Sequence, residues 1–273
     1  MTIQGWIERT KTHFADNNID SAWLDAVLIL EFASGKDRAW LMAHSDDSLT
    51  HLLTIHQLEI LVKAVARRAN HEPIAYITGY KEFYGHTFKV NNNVLIPRPE
   101  SEDIINVIAD FGNISGKNLV DIGTGCGALA ISAKIKHTKL NVTGLDISQR
   151  ALDIAKHNAK QLDADVNFIR SNLLDSIEAK QDIILANLPY IPPDYNLSAD
   201  IKYEPAIALY SDNGGLMLIE HLLKQAAQKL NPGGFVVLES LPSQVNRINK
   251  IATKHDLQLV KRTGLVQVYK YWP

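Results

Sequence analysis

The first seventy residues carry apolar side chains at helical spacing. Trp6, Ile7, Thr10 and Phe14 recur on one face, and Asp16-Asn17-Asn18 closes the run. Asp20 or Ser21 can cap a second helix, whose Leu24, Val27, Leu28 and Phe32 precede a stop at Ser34-Gly35. A short third helix is predicted from about Asp37 to His44. A fourth is predicted from about Thr50 to Asn70, with Leu58, Leu61, Val62 and Val65 on one face. Four elements with short connections predict a small helical bundle over residues 1–72, with the Trp and Leu stripes as its core.

The pattern changes at Pro73. From Ile74 to Val90 aromatic and polar residues alternate around Gly79 and Gly85, which predicts a β-hairpin. Asn91-Asn92-Asn93 reads as a turn. Ile96-Pro97-Arg98-Pro99 reads as extended chain, because a residue before proline is pushed out of the helical region. Residues 73–99 are therefore expected to link two domains. From Glu100 onward apolar strands alternate with helices, at Asn118–Asp121, Asn141–Asp146, Val166–Arg170, Asp182–Asn187, Phe235–Glu239, Leu257–Lys261 and Leu265–Tyr269. This predicts an α/β domain over 100–273, a Rossmann-like parallel sheet of seven strands covered on both faces. Only Arg262, Thr263 and Gly264 join the last two strands, so the final one should run antiparallel.

Composition adds exclusions. With 46% hydrophobic and 21% charged residues and a net charge of −2, the chain is an ordinary globular protein without the basic surplus that phosphate binding favours. A lone cysteine, Cys126, forbids an internal disulfide and suits a reducing compartment. The amphipathic N-terminus lacks the apolar stretch of a secretory leader, and no run approaches the ~20 residues that span a bilayer, so a cytoplasmic protein is expected. The ten histidines show no metal-ligand spacing.

The chemistry begins at Asp121-Ile122-Gly123-Thr124-Gly125-Cys126-Gly127, which follows an apolar strand and opens a helix. Alternate glycines let the backbone turn sharply and approach a ligand beside the amides of a helix N-terminus. The spacing is not the dinucleotide fingerprint, which counts against an NAD-dependent oxidoreductase. It suits a cofactor with an amino-acid tail, whose ammonium Asp121 could orient. Asp146, ending the next strand, can accept both ribose hydroxyls, and Asn172 after the third strand could touch an adenine amino group. In this order and at strand ends, these features predict an S-adenosylmethionine site. Cys126 is expected to be a small loop residue among the cofactor contacts rather than a nucleophile.

Asn187-Leu188-Pro189-Tyr190 ends the fourth strand beside the same crevice. An amide or aryl amine is a poor nucleophile because its nitrogen lone pair is conjugated; rotation about an amide costs about 18–20 kcal/mol for that reason. A site for it holds the N–H donors and aims the lone pair. The Asn187 side-chain oxygen and the Pro189 carbonyl can accept, and Tyr190 can stack on the π-face. Asn187, Pro189 and Tyr190 are thus the candidate catalytic residues.

With these residues placed, the chain resembles the HemK/PrmC family, which methylates the side-chain amide of the glutamine in the Gly-Gly-Gln motif of peptide chain release factors. The tetrad also occurs in adenine methyltransferases. The narrower signal is Arg67-Arg68, Glu72-Pro73-Ile74-Ala75-Tyr76-Ile77-Thr78-Gly79, Glu82-Phe83-Tyr84-Gly85 and Leu95-Ile96-Pro97-Arg98-Pro99-Glu100-Ser101-Glu102. Tyr203-Glu204-Pro205, Gly214-Gly215-Leu216 and Asp25-Ala26 are similar as well. The resemblance implies a class I S-adenosylmethionine-dependent methyltransferase with an N-terminal domain that docks a release factor. It further implies cofactor contacts from Gly123, Thr124, Gly125, Gly127, Asp146, Asn172, Leu173 and Asn187. Substrate contacts would come from Asn187, Leu188, Pro189 and Tyr190, with Arg98 and Glu100 bordering the site. Leu188 stands where the family usually has proline, and Leu173 where an aromatic residue is frequent. The alternatives are an adenine amino-methyltransferase acting on RNA or DNA, and a cofactor-binding protein that docks without catalysis.

Overall fold

The computed structural model describes residues 1–273. Met1–Tyr80 together with Leu197–Tyr203 form one compact unit, and Lys81–Asn196 with Glu204–Pro273 form a second.

The first unit is helical: α1 (Ile3–Asp16), α2 (Ala22–Ser34), α3 (Arg38–Ala43), α4 (Leu49–Leu52), α5 (Ile55–Ala69) and α6 (Ile74–Thr78). Its core gathers Ile7, Phe14, Ile29, Leu30, Leu41 and Leu61. The expected helix from Thr50 to Asn70 is two helices. Leu53 is extended at φ −110° and ψ 136°, and Thr54 starts α5 with a reciprocal cap in which its hydroxyl accepts from the Gln57 amide and its own amide donates to the Gln57 side chain. The hairpin expected from Ile74 is shorter too. Ala75, Tyr76 and Ile77 are buried in succession, which a two-faced strand cannot do, and they form α6, ended by Gly79 at φ +84°. Strand pairing begins only with β1 (Tyr80–Phe83) and β2 (His86–Lys89).

Inside the helical unit lies an ion pair. Arg68 Nε donates to Asp25 Oδ2 at 2.7 Å, with both side chains nearly sealed from solvent. Ser21 Oγ donates to the same oxygen, Arg68 also reaches the Glu72 carbonyl at 3.1 Å, and Asp200 completes the set at 3.0 Å. The buried charges are thus paired and hydrogen-bonded, the condition for tolerating them in a core.

The second unit contains α7 (Glu102–Ile108), β3 (Asn118–Ile122), α8 (Ala128–Lys136), β4 (Asn141–Asp146), α9 (Gln149–Gln161), β5 (Asn167–Arg170) and β6 (Gln181–Ala186). After the turn α10 (Asp212–Gly215) come α11 (Met217–Lys229), β7 (Leu230–Glu239), α12 (Val245–Thr253), β8 (Leu257–Thr263) and β9 (Val266–Tyr271). The sheet order is β5-β4-β3-β6-β7-β9-β8. Strands β3 to β7 run parallel, and β9 is antiparallel to both β7 and β8; only Gly264 and Leu265 join β8 to β9, too few for a crossover. Parallel strands buried on both faces need unbroken apolar runs, and Leu119, Val120, Ile183, Ile184, Val236 and Val237 supply them.

The chain steps from β3 outward to β4 and β5, then returns to the other side of β3 as β6. This reversal opens a crevice at the carboxyl ends of β3 and β6. The registers align what emerges there. Ile122 pairs with Leu145 and with Ala186, and Ala186 pairs with Leu238. The next residues along the row are therefore Asp146, Gly123, Asn187 and Glu239. No helix of the protein is long and apolar enough to cross a membrane.

Candidate active site

A cleft opens over this row. Gly123 and Gly125, Asp146, Asn172 and Leu173, and the tetrad residues Asn187, Leu188 and Pro189 all line it. The structure thus brings into one cleft the glycine loop, the acid after β4, the pair after β5 and the tetrad. Val94 and Leu95 close one side, and Pro205, Ile207 and Ala208 close another. Sequence reasoning assigned none of these five to the cofactor site. The signal for the second group is its place just after the tetrad, in the loop that leaves the same strand end.

The glycine loop is shaped by its own hydrogen bonds. Gly123, Gly125 and Gly127 have φ of +68°, +56° and +84°, a region that disfavours any side chain. Three of the loop amides are paired within the protein. The Thr124 amide donates to the Leu145 carbonyl, the Gly125 amide to Asp146 Oδ2 and the Gly127 amide to the Thr124 carbonyl. The loop is thereby tied to the end of β4, and Gly123 and Gly125 present a wall without side chains.

Asp121, Thr124, Cys126 and Gly127 stand behind that wall and do not line the cleft. Asp121 is 1% exposed and accepts from Thr124 Oγ1 at 2.6 Å, while its Oδ1 is buried without a partner. Burial pushes its carboxyl up to about 7, only partly countered by Thr124. It braces the loop through Thr124. Cys126 is sealed in, and burial pushes its thiol up to about 12, so it is no nucleophile.

Asp146 does line the cleft. One oxygen accepts from the Gly125 amide and the other from the Ser148 amide, both at 2.9 Å, and burial holds its carboxyl above the usual range. A glycine wall, a carboxylate at the second strand end and an otherwise largely apolar lining fit a nucleoside with a charged tail.

The tetrad is held by a chain of hydrogen bonds. Asn187 Nδ2 donates to Ser101 Oγ at 2.8 Å, and Ser101 Oγ donates to Glu239 Oε2 at 2.7 Å. The Tyr190 hydroxyl donates to Glu239 Oε1 at 2.8 Å. Burial raises the Glu239 carboxyl and, together with the charge of Glu239, raises the Tyr190 phenol, which stays protonated. The Tyr190 carbonyl accepts from Gln244 Nε2 at 2.7 Å, and Gly215 packs so closely beneath it that an added Cβ would stand 2.0 Å from that oxygen. Neither Asn187 Oδ1 nor the Pro189 carbonyl accepts a hydrogen bond from the protein. Leu188 is buried against Gly123.

Arg98 and Glu100 do not line the cleft. Arg98 pairs with the buried Glu204, which also accepts from the Ile96 amide at 2.9 Å, so Arg98 ties the extended linker to the loop after the tetrad. Glu100 is exposed, and its charge and that of Arg98 act on Glu239 and Tyr190 from the side. Ser101, Glu239, Gln244 and Gly215 were missed as site residues. Ser101 and Gly215 fall in the family-like segments without a role of their own, and Glu239 leaves a trace as a carboxylate ending the apolar run Phe235-Val236-Val237-Leu238 at the crevice end of a buried strand.

A family model described as PrmC N-terminal domain matches residues 5–79, and one described as Methyltransferase small domain matches residues 105–201. The release factor glutamine methyltransferase of Pasteurella multocida is 32% identical over 93% of this chain and 92% of its own length. The protein of the same name from Lactococcus lactis is 36% identical over 86% and 85%. Among solved structures, a methyltransferase from Pyrococcus furiosus superimposes with a TM-score of 0.54 at 20% identity, covering 76% of this chain and 98% of that one. A Thermus thermophilus 16S rRNA methyltransferase in complex with AdoMet and guanosine gives 0.52 at 17%, covering 71% and 49%. At these identities the two structures establish the class I methyltransferase fold.

Proposed function

The chain belongs to the family of release factor glutamine methyltransferases, and from that premise we propose how its residues act on their substrate. It is an S-adenosylmethionine-dependent protein-glutamine methyltransferase, and the glutamine it modifies is a release factor's. We place that glutamine in the Gly-Gly-Gln motif. Bound in the cleft, S-adenosylmethionine supplies a methyl group on a positively charged sulfur. Asp146 accepts from the ribose hydroxyls, Asn172 and Leu173 flank the base, and Gly123 and Gly125 admit the tail.

The protein's part in the reaction is positioning. Asn187 Oδ1 and the Pro189 carbonyl accept the two N–H groups of the substrate amide. The Tyr190 ring lies on its π-face, and Leu188 fills the space over Gly123. With both N–H groups held in plane, the nitrogen lone pair points out of that plane toward the donor, and the barrier falls through alignment and electrostatics rather than prior deprotonation; the nitrogen gains the methyl, the sulfur leaves as a neutral thioether, and the surplus N–H proton is then lost to solvent. The single observation that carries this reading is the pair of unpaired acceptors at Asn187 and Pro189 in the cleft wall, beside a Tyr190 ring whose hydroxyl is tied down behind.

The helical unit supplies the docking surface. Ile55 and Val62 lie seven residues apart on one face of α5 and are 79% and 69% exposed, and Trp23 and Phe32 on α2 are also exposed. Incubation with labelled S-adenosylmethionine, a purified release factor and competing RNA and DNA tests the assignment. Label on the release factor supports it, and label confined to adenine in the nucleic acids contradicts it.

A further inference from the structure

The hydrogen-bond chain behind the tetrad has a direction, and one residue sets it. An ionised carboxylate can only accept. Glu239 accepts two hydrogen bonds, from Ser101 Oγ at one oxygen and from the Tyr190 hydroxyl at the other. A serine hydroxyl owns a single proton. Having given it to Glu239, Ser101 offers only lone pairs toward Asn187, 2.8 Å away. Asn187 must therefore turn its Nδ2 to Ser101, which leaves Oδ1 as the end available in the cleft. The amide's two ends are almost the same shape, so packing alone does not choose between them.

We infer that Glu239 is a positioning residue of the methyl transfer. Acting through Ser101, it fixes the side-chain amide of Asn187 with its oxygen toward the substrate, and through the phenol it anchors the far end of the Tyr190 ring. This deepens the function proposed above and rests on Asn187 serving there as an acceptor. Glu239 reaches its place because β6 and β7 pair Ala186 with Leu238, so Asn187 and Glu239 leave adjacent parallel strands side by side. At 2% exposure it is too buried to touch substrate itself.

Glu239→Gln keeps the shape but introduces a donor. Its Nε2 can feed a proton to Ser101, whose own proton then turns to Asn187 and reverses the amide. Ser101→Ala cuts the chain with the loss of a single oxygen. Both variants should bind S-adenosylmethionine within about threefold of the parent, since neither residue lines the cleft, and both should lower kcat by roughly tenfold or more. Because the two act in series, Glu239→Gln should add less than about twofold in a Ser101→Ala background.

A pH profile separates positioning from simple support. Glu239 faces Ser101, Tyr190, the charge of Arg98 and the charge of Glu100. Taking up a proton converts it to a donor, so kcat should fall on the acid side, and Glu239→Gln should remove that limb from the lower rate that remains. The deciding readout needs no turnover: the side-chain amide resonance of Asn187 in protein labelled with 15N-asparagine, assigned by its loss in Asn187→Asp. It should move in both Ser101→Ala and Glu239→Gln. An unmoved resonance, or multiplicative effects of the two variants on kcat, overturns the inference. Should the parent protein transfer no methyl group to a release factor, the functional reading falls, while the resonance still decides the orientation of Asn187.

Discussion

Gly215→Ala should cripple the site from outside the cleft. Gly215 has φ +82°, and an added Cβ would stand 2.0 Å from the Tyr190 carbonyl oxygen and 2.5 Å from Gln244 Nε2. Real Cβ contacts essentially never fall below 3.0 Å, so one side must yield by about 1 Å. The nearest obstacle is backbone of the tetrad and not a side chain that can swing away. A displacement of ~1 Å in a positioned reactant costs about 10²-fold in rate. The left-handed conformation adds about 1–2 kcal/mol of strain to any residue with a side chain. Gly233 separates the two effects: it has φ +78°, and its added Cβ would meet nothing within 4 Å. Gly233→Ala should therefore lose a similar increment of stability at unchanged kcat. Gly215→Ala should lose that increment and about two orders of magnitude in kcat, with S-adenosylmethionine affinity nearly intact. Calorimetric binding, thermal unfolding and single-turnover methyl transfer measure the three quantities. A Gly215→Ala protein that turns over at the rate of Gly233→Ala would refute the claim that tetrad placement limits the reaction.

Other consequences follow from residues already placed. Asn187→Ala removes one of two acceptors and should lower kcat by about 10²-fold or more, the scale of one preorganised polar contact, while titration still detects cofactor binding. Asp25→Ala leaves the buried Arg68 short of its main partner and should cost about 3–5 kcal/mol in the helical unit, read from urea unfolding; a loss below about 1 kcal/mol would mean that Asp200 and the Glu72 carbonyl suffice. Asp121 has a folded carboxyl raised to about 7 against an ordinary value of 3.8, so the folded state holds a proton that the unfolded chain has lost. Its contribution to stability is present below about pH 4 and is lost as pH rises toward 7, by at most about 1.4 kcal/mol per pH unit. Melting curves of Asp121→Asn should lack this fall, and parallel pH profiles for both proteins would contradict it.

Much of the site was legible because its residues sit where the chain changes state. The glycines announce a turn that only they can make, Asp146 ends a strand, and the tetrad follows another, so local pattern and crevice position coincide. The fold was legible for the same reason, since apolar runs separated by helices admit few arrangements. What stayed hidden depends on distant contacts. Ser101 and Glu239 meet across 138 residues, and Gln244 and Gly215 serve the tetrad only because α10 and the start of α12 pack beneath it. Asp121 and Cys126 belong to the loop by sequence, but their burial behind it depends on packing that local pattern does not show. The helix break at Leu53 was obscured by apolar spacing that continues across it, although Thr54 and Gln57 held the cap signal. Ile74–Val90 misled because its apparent alternation joins a buried helical turn to a true hairpin at Gly79.

The central claim is that the two acceptors of the tetrad hold a release factor's glutamine amide for methylation. Its most direct test is mass spectrometry of the peptide carrying Gly-Gly-Gln, after the release factor is incubated with this protein and S-adenosylmethionine, alongside Asn187→Ala and a release factor whose glutamine is alanine. One added methyl is expected on that glutamine, absent from both controls. A methyl on another residue of the release factor, or an unmodified glutamine under conditions where the protein binds both substrates, would contradict it.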